Sequence, residues 1–251
     1  MRQGFRSIVF GILLAAVAAV QAGELKVISG NGARAAVIGL VTTFDRKTGH
    51  RTTIDFAVNP EAKSKIEKGQ AFDIAVLNPP VLDELIKKGF IADKSRVVLG
   101  RAGIGVGVRE GAPKPDISTV AAFKRTLLSA RSVAYAGEGA SGKYFAGLVQ
   151  RLGIAEEMKP RMRPMPAEYN VEGVAAGEHE LVVIVSSRMS GVPGIQYVGR
   201  IPQELQTWIG FAAGMNPRTS EPEAARAMLK FLTSPDAAGV LKANGVEPFV
   251  E

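Results

Sequence analysis

The feature that most constrains this chain is a repeated alternation of short apolar strands with helical patterns. LKVIS (25–29), TTIDFAV (52–58) and FDIAVL (72–77) have the composition of strands, and each precedes a turn and a helix. Glycines or Asn-Pro pairs mark most of these turns. Strand, helix and strand in this order require right-handed crossovers. The pattern predicts an α/β fold with mixed, mainly parallel sheets.

A second strand–helix series begins near Gly103. Its predicted strands are GIGVGV (103–108), SVAYA (132–136), ELVVIVS (180–186) and QTWIGFAAGM (206–215). Two helical patterns then close the chain, one after Ser220 and one after Thr233. The helix between the second and third strands of the first series is predicted to begin at Asn59, whose side chain would cap it.

Two such series without a flexible linker between them predict two lobes. Residues 23–105 and 209–251 would form one lobe, and residues 106–208 would form the other. The chain would cross between the lobes near Gly105–Val108 and return near Thr207–Ala212. We therefore expect a two-lobed α/β protein rather than a single compact unit.

The first 22 residues have the layout of a secretory signal peptide. Arg2 and Arg6 precede an apolar run from Ile8 to Val20, and a small-residue site ends at Ala22. This run is shorter than the roughly 20 apolar residues of a membrane span. We expect cleavage after Ala22 and export to the periplasm. The mature protein would have 229 residues and a formal net charge of +5.

Composition excludes several classes of function. The chain has no cysteine, which excludes thiol catalysis, zinc–thiolate sites and disulfides. His50 and His179 lie in charged, loop-like sequence, and we expect both to be solvated rather than to act as ligands or bases. A modest positive charge, one Trp and four Tyr disfavour nucleic-acid binding. We expect no cofactor and no metal site built from side chains.

Two glycine motifs nearly match nucleotide-binding fingerprints. Gly30, Gly32 and Ala35 have the spacing G-x-G-x-x-A, but the acidic residue expected at the end of the second strand, Asp55, lies inside it. With 28 glycines in the chain, such a match arises easily by chance. The sequence therefore does not predict a dinucleotide-dependent enzyme.

The other near-match is a P-loop. Gly137, Gly142 and Lys143 satisfy G-x-x-x-x-G-K, but Tyr144 replaces the Ser or Thr that binds magnesium. No strand ending in a convincing Walker B aspartate follows. The sequence therefore does not predict an ATPase.

Both near-matches nevertheless share a physical property. A strand that ends in a small polar turn and opens a helix exposes unpaired backbone N–H groups at the positive end of the helix dipole. Such a turn attracts an anion of any kind. Turns of this type occur at Ser29–Gly32, Asn59, Ser141, Asn170–Val171 and Ser186–Ser187. Because they come from both series, they predict an anion site shared between the two lobes.

The chain resembles the periplasmic molybdate-binding protein family, the type II substrate-binding components of ABC importers. The similarity spans the mature region and is carried by LKVISGNGARAAV, FAVNPEAKSKIEKGQAFDIAVL, GVREGAPKPDIST, LVQRLGI and KANGV. The resemblance implies a two-lobed Venus-flytrap fold that clamps a tetrahedral oxyanion, molybdate or tungstate. It also implies delivery of that anion to membrane permease subunits, and we expect the binding protein to be a monomer and not an enzyme.

The ligand positions implied by the resemblance are Asn31, Gly32, Asn59, Ser141, Val171 and Ser186. Ser141 and Val171 suit the family pattern, Val171 through its backbone N–H. Gly32 and Asn59 stand where a serine is usual, and Ser186 stands where a tyrosine is common. These departures leave the ligand open to an anion other than molybdate.

Other possibilities remain open. Arg34 and Arg188 flank the predicted turns, and a guanidinium grips a carboxylate with two parallel hydrogen bonds, so a small organic acid is the second ligand class. Asn78, which precedes two prolines at the end of the third strand, either starts a stiff helix or lines the same cleft. An exported hydrolase is disfavoured because Ser141 lacks the G-x-S-x-G context and a histidine partner. A ligand-sensing partner of a membrane receptor would share the fold.

Overall fold

A computed structural model describes residues 23–166 and 169–249 of the chain. The predicted signal peptide lies outside the described residues. The strands are β1 (Glu24–Gly30), β2 (Arg51–Ala57), β3 (Ile74–Leu77), β4 (Val97–Arg109), β5 (Val133–Ala136), β6 (Met162–Met165), β7 (Leu181–Val185), β8 (Ile195–Arg200), β9 (Trp208–Met215) and β10 (Glu247–Pro248).

Nine α-helices occur within the same described ranges. They are α1 (Arg34–Thr48), α2 (Asn59–Glu67), α3 (Pro79–Lys87), α4 (Val120–Ser129), α5 (Ala140–Arg151), α6 (Ala155–Met158), α7 (Glu172–Ala175), α8 (Pro222–Leu232) and α9 (Pro235–Ala243). Short 3-10 turns precede α1 (Asn31–Ala33) and follow β7 (Ser186–Arg188). In this part of the chain, none of the helices combines the length and the apolar character that crossing a bilayer requires.

The described strands form one mixed sheet in the order β2-β1-β3-β9-β4-β7-β5-β6, with β8 and β10 also paired to β4. Parallel pairs join β1 to β2 and β3, and β5 to β6 and β7. The pairs made by β4 and β9 are antiparallel. The predicted α/β architecture with a mixed sheet is therefore confirmed.

Strand β4 passes from one half of this sheet to the other. Its residues 97–103 pair with β9, and its residues 104–108 pair with β7. We call β1, β2, β3, β9, β10 and the start of β4 the first half of the sheet, and β5 to β8 with the end of β4 the second half. The passage lies just before the predicted crossing at Gly105–Val108. The lobe boundaries themselves stay a prediction.

One side chain, that of Gln206, bonds to the backbone of β4 where this strand passes between the halves. The side-chain amide of Gln206 accepts a hydrogen bond from the backbone N–H of Ile104 at 2.7 Å and donates to the carbonyl of the same residue at 3.0 Å. This amide occupies the place of a neighbouring strand, so both polar backbone groups of Ile104 are satisfied at the passage.

Close by, two arginines stack on one indole ring. The guanidinium carbons of Arg101 and Arg200 lie 4.2 and 4.8 Å from the ring centroid of Trp208. Glu247 forms ion pairs with both arginines. This tryptophan cluster, Arg101, Arg200, Trp208 and Glu247, joins β8 of the second half to β4, β9 and β10.

The prediction that His50 is solvated is wrong. Its ring is buried, stacks on Phe44 with centroids 5.5 Å apart, and accepts a hydrogen bond from the backbone N–H of Gly23 through Nδ1 at 2.9 Å. The partner directly precedes β1, which pairs with β2, so the local sequence around His50 does not reveal it. His50 has a structural role and lies apart from the strand ends described next.

The fold brings the carboxyl ends of its parallel strands to the boundary between the halves. β1 ends before Asn31, β2 ends two residues before Asn59, and β3 ends before Asn78. In the second half, β5 leads to Ser141 and β7 leads to the 3-10 turn Ser186–Arg188. Ligands of open α/β sheets bind at such strand ends.

Candidate functional site

A small cavity lies at these strand ends, between the two halves of the sheet. The first half supplies one wall of this central cavity, with Asn31, Gly32, Val58, Asn59, Asn78 and Ile209. The second half supplies the other wall, which includes Glu138, Gly139, Ser141, Asn170, Val185 and Arg188. About 50 Å³ is open to the centres of water-sized molecules. Since about 10–15 Å³ of such space holds one water, the central cavity suits a small solute.

The side-chain amide of Asn59 has a fixed orientation. Its Oδ1 accepts a hydrogen bond from the backbone N–H of Asn78 at 2.9 Å. A backbone N–H can only donate, so the oxygen of the Asn59 amide must face it and the NH₂ group is the remaining side. The amide therefore offers hydrogen-bond donors in a wall of the cavity.

The prediction that Asn59 caps its helix is wrong. Val58 holds the capping position, with extended backbone and no side-chain cap, and Asn59 is already the first residue of α2. The backbone N–H at the end of β3 takes the side-chain oxygen instead. The side chain of Asn59 therefore bonds to the end of β3 and not to the start of its own helix.

The amide of Asn31 is oriented in the same way. Nη1 of Arg34 lies 3.3 Å from Oδ1 of Asn31. A guanidinium has no acceptor, so it too selects the oxygen of the amide. Asn31 is only 8% exposed, and its NH₂ group is a second donor in the first wall.

Gly32 lies next to residues of both halves of the sheet. A Cβ atom built at this position would be 3.2 Å from the ring of Phe211 and 3.6 Å from Val185. The hydroxyl of Ser187 donates to the carbonyl of Gly32 at 2.6 Å, across the boundary. A side chain at position 32 would therefore crowd the ring of Phe211, and glycine avoids this contact.

The second wall contains the start of α5. Ser141 is buried in the first turn of this helix and lines the cavity. A Cβ atom at Gly142 would lie 1.8 Å from the carbonyl oxygen of Ala136, so only glycine allows the helix to sit against the end of β5. Gly142 of the P-loop-like motif thus has a packing role, and the hydroxyl of Tyr144 donates to the carbonyl of Leu205.

Arg188 brings a charge to the second wall. Its side chain is 3% exposed, and its Nη2 donates to both carboxylate oxygens of Glu172, at 2.6 and 2.8 Å. Arg188 also lines a second space, the side cavity, together with Arg34, Ile38 and Glu172. Arg188 therefore borders both cavities, and its ion-pair partner Glu172 lines the side cavity.

Only some of the predicted site residues line the central cavity. Asn31, Gly32, Asn59, Ser141 and Arg188 line the central cavity. Val171 and Ser186 do not line it, although their chain neighbours Asn170 and Val185 do. Arg34 lines only the side cavity, where its guanidinium carbon lies 4.3 Å from the ring centroid of Phe56. The ligand-binding role of all these residues stays a prediction.

Three further polar residues line the cavity. Asn78, considered above as a cleft residue, donates through Nδ2 to the carbonyl of Gly210 at 2.7 Å. Glu138 received no role from the sequence, whereas Asn170 was predicted as part of the anion-attracting turn Asn170–Val171. Glu138 follows Gly137 at the end of β5, where the glycine turn itself was the available signal. Nothing in the sequence indicates that Asn170 rather than Val171 would line the cavity.

Asp55 lies in β2 and has no place in the cavity lining. Burial opposes its ionisation, but hydrogen bonds from Gln70 at 2.7 Å and Lys65 at 3.1 and 3.0 Å outweigh it and lower the pKa of this carboxyl. The carboxylate is thus committed to two neighbours, in agreement with the rejection of a dinucleotide site. In the described residues, no cluster of three His, Asp or Glu side chains could hold a metal ion.

Comparison with known proteins identifies the family of this chain. The sequence profile of the bacterial extracellular solute-binding protein family matches residues 25–247. The chain belongs to this family. Aconitate isomerase of Pseudomonas sp is 35% identical over 238 residues, which cover 92% of this chain and 90% of that protein.

Solved structures support the fold. The periplasmic molybdate-binding protein of Azotobacter vinelandii has a TM-score of 0.75 and 18% identity, over 88% of this chain and 98% of that chain. The sulfate-binding protein SubI of Mycobacterium tuberculosis has a TM-score of 0.74 and 12% identity, over 90% and 87%. The predicted type II periplasmic-binding-protein fold is confirmed, as is the resemblance at the level of family.

Proposed function

We propose that this protein is an exported solute-binding protein that captures a small anion in the central cavity as two lobes close on it. One observation carries the proposal. Four residues predicted to bind an anion, Asn31, Gly32, Asn59 and Ser141, line a single small cavity and come from both halves of the sheet. Domain closure around a ligand is the usual motion of periplasmic binding proteins.

The donors in this cavity suit a negative charge. Hydrogen bonds to a charged group contribute about 1.5–3 kcal/mol each. Micromolar binding corresponds to about −8 kcal/mol after the cost of association, so five to seven well-placed donors would be roughly sufficient. The NH₂ groups of Asn31 and Asn59 and the hydroxyl of Ser141 supply part of this set.

We take a small carboxylate as the first ligand class. Arg188 lines the central cavity, and a guanidinium pairs well with a carboxylate. The relative that matches most of this chain at 35% identity bears the name of an enzyme acting on aconitate, a tricarboxylate. Molybdate and similar oxyanions are the second class, supported by the neutral donors of the first wall. Delivery to an ABC importer and a monomeric state belong to the same proposal.

Calorimetric titration of residues 23–251 tests both classes. The panel contains trans-aconitate, cis-aconitate, citrate, molybdate and sulfate. Saturable heat with a carboxylate and none with molybdate or sulfate would support the first class, and the reverse would support the second. Absence of binding to every anion would refute the proposal.

A second candidate function is isomerisation of an unsaturated tricarboxylate. Its specific support is Glu138, the carboxylate of the cavity wall, together with the name of the 35% identical relative. A carboxylate adjacent to bound aconitate could remove a proton from the CH₂ group, while the double bond shifts to that carbon. Return of the proton to the former vinyl carbon completes the reaction, and no further reactant is consumed.

Incubation with trans-aconitate in D₂O separates the two functions. An isomerase would form cis-aconitate and incorporate deuterium, which proton NMR detects. In that case Glu138→Gln should abolish turnover and keep binding. Binding without turnover or deuterium incorporation would support capture alone and our prediction that the chain is not an enzyme.

A further inference from the structure

Arg34 is close to the cavity wall but outside the central cavity. It is the first residue of α1, three positions after Asn31. Its Nη1 reaches the Oδ1 of Asn31 at 3.3 Å, and its guanidinium carbon lies 4.3 Å from the ring centroid of Phe56. These two contacts hold the cation between the face of an aromatic ring and the oxygen of a side-chain amide.

This arrangement controls which end of the Asn31 amide the ligand meets. An asparagine amide can rotate by half a turn and exchange its oxygen for its NH₂ group. The guanidinium carries donors and no acceptor, so it stabilises the orientation in which the oxygen faces Arg34. The NH₂ group then becomes the part of Asn31 available to a solute in the cavity.

We propose that Arg34 is a positioning residue that raises anion affinity through Asn31 without touching the ligand. The proposal rests on anion capture in the central cavity. It gives Arg34 a role different from the direct carboxylate contact that the sequence suggested. Arg34 lines the side cavity, which shares Arg188 with the central cavity.

The first wall contains a natural control for this role. Asn59 is oriented by the backbone N–H of Asn78, which every substitution of Asn78 except proline leaves in place. Two asparagines thus present donors to the same cavity, one through a replaceable arginine and the other through the backbone. A change at Arg34 should affect Asn31 and leave Asn59 unaffected.

A double-mutant cycle tests the coupling. Arg34→Met, Asn31→Ala and the double variant are titrated with trans-aconitate and with molybdate, after their thermal unfolding has been compared. Alone, Arg34→Met should weaken binding by about five- to tenfold, as expected for one lost donor. In the Asn31→Ala background it should weaken binding by less than about twofold. In an Asn59→Ala background the full loss should persist, and Arg34→Lys should restore most of the affinity.

An equal loss in both the wild-type and Asn31→Ala backgrounds would mean that Arg34 contacts the ligand itself and would overturn the proposal. Unchanged affinity of Arg34→Met would overturn it as well. A ligand-free measurement separates this inference from the proposed function. In a ¹⁵N spectrum, Arg34→Met should shift the side-chain NH₂ signals of Asn31 and leave those of Asn59 in place.

If those Asn31 signals do not move, the positioning role is wrong whatever the variants bind. If they move but the wild-type protein binds neither probe, anion capture fails while the arrangement of the amide stands. The two failures are therefore distinguishable.

Discussion

The first wall of the central cavity presents neutral amides, whereas the second wall carries charged groups. In the first wall, Asn31 and Asn59 are oriented by groups that can only donate, so their own donors are left for the solute. In the second wall, Arg188 is buried with Glu172, and Glu138 adds a carboxylate. The first wall therefore favours any small anion, and the second wall has the means to distinguish among anions.

The largest expected effect comes from replacing one hydrogen-bond donor of the first wall with a charged acceptor. Asn59→Asp keeps an oxygen for the N–H of Asn78 but replaces the NH₂ group with a second, negatively charged oxygen. At an effective dielectric constant near 20, two like charges about 4 Å apart repel by about 4 kcal/mol. We expect at least a roughly 100-fold loss of anion affinity at pH 7.5 in calorimetric titration.

The pH dependence of this variant provides its control. Protonation of the introduced carboxyl, whose pKa burial and a bound anion would raise, removes the charge and restores a donor. Affinity should therefore recover as the pH falls towards 5, whereas Asn59→Ala should show no such recovery. A pH-independent loss in Asn59→Asp would contradict the donor role of this wall.

The next effect concerns the charge of the second wall. Glu172→Gln removes the carboxylate paired with the buried guanidinium of Arg188. Loss of a charge-assisted hydrogen bond should lower the free energy of unfolding by about 2 kcal/mol, measured by urea denaturation. Anion affinity should rise about three- to tenfold, because less of the positive charge is compensated. A fall in affinity would show that the ion pair itself shapes the site.

Removal of one neutral donor from the second wall should have a smaller effect. Ser141→Ala deletes a hydroxyl at the start of α5, and anion affinity should fall about five- to tenfold. Ser129→Ala, at the end of α4 and away from the cavity lining, is the matched control and should bind like the wild type. Equal affinity in both variants would remove Ser141 from the site.

The smallest effect is expected where the walls meet. Gly32→Ala places a methyl group 3.2 Å from the ring of Phe211, so that ring must shift by a few tenths of an ångström. We expect a loss of about 1 kcal/mol in the free energy of unfolding and a change in affinity of less than about threefold. A much larger loss of affinity would mean that the solute contacts the backbone at Gly32 directly.

The sequence predicts those parts of the site that depend on chain order. Strand, turn and helix periodicity place Asn31, Asn59 and Ser141 at strand ends, and strand ends of one sheet meet. The sequence does not predict which group a side chain faces across the sheet. The oxygen of Asn59 goes to the end of β3, and His50 goes to the N–H of Gly23. Both contacts join segments that only the folded sheet brings together.

The role of Arg34 could not be inferred from the sequence for the same reason. Its closeness to the glycine turn in the sequence suggests a ligand contact. In the structure, the guanidinium lies over the ring of Phe56 in β2 and does not line the central cavity. The long β4 is a similar case. From the sequence we predict a strand only at GIGVGV, yet pairing with β9 extends this strand back to Val97.

Trp208 gives the molecule a built-in optical reporter. It is the single tryptophan of the chain, it lies where the polypeptide passes between the halves, and it has no place in the central cavity lining. Two guanidinium groups from different strands flank its ring. A hinge rotation would change their distance from the indole and thus its emission, so unlabelled protein should reveal closure by a change in fluorescence.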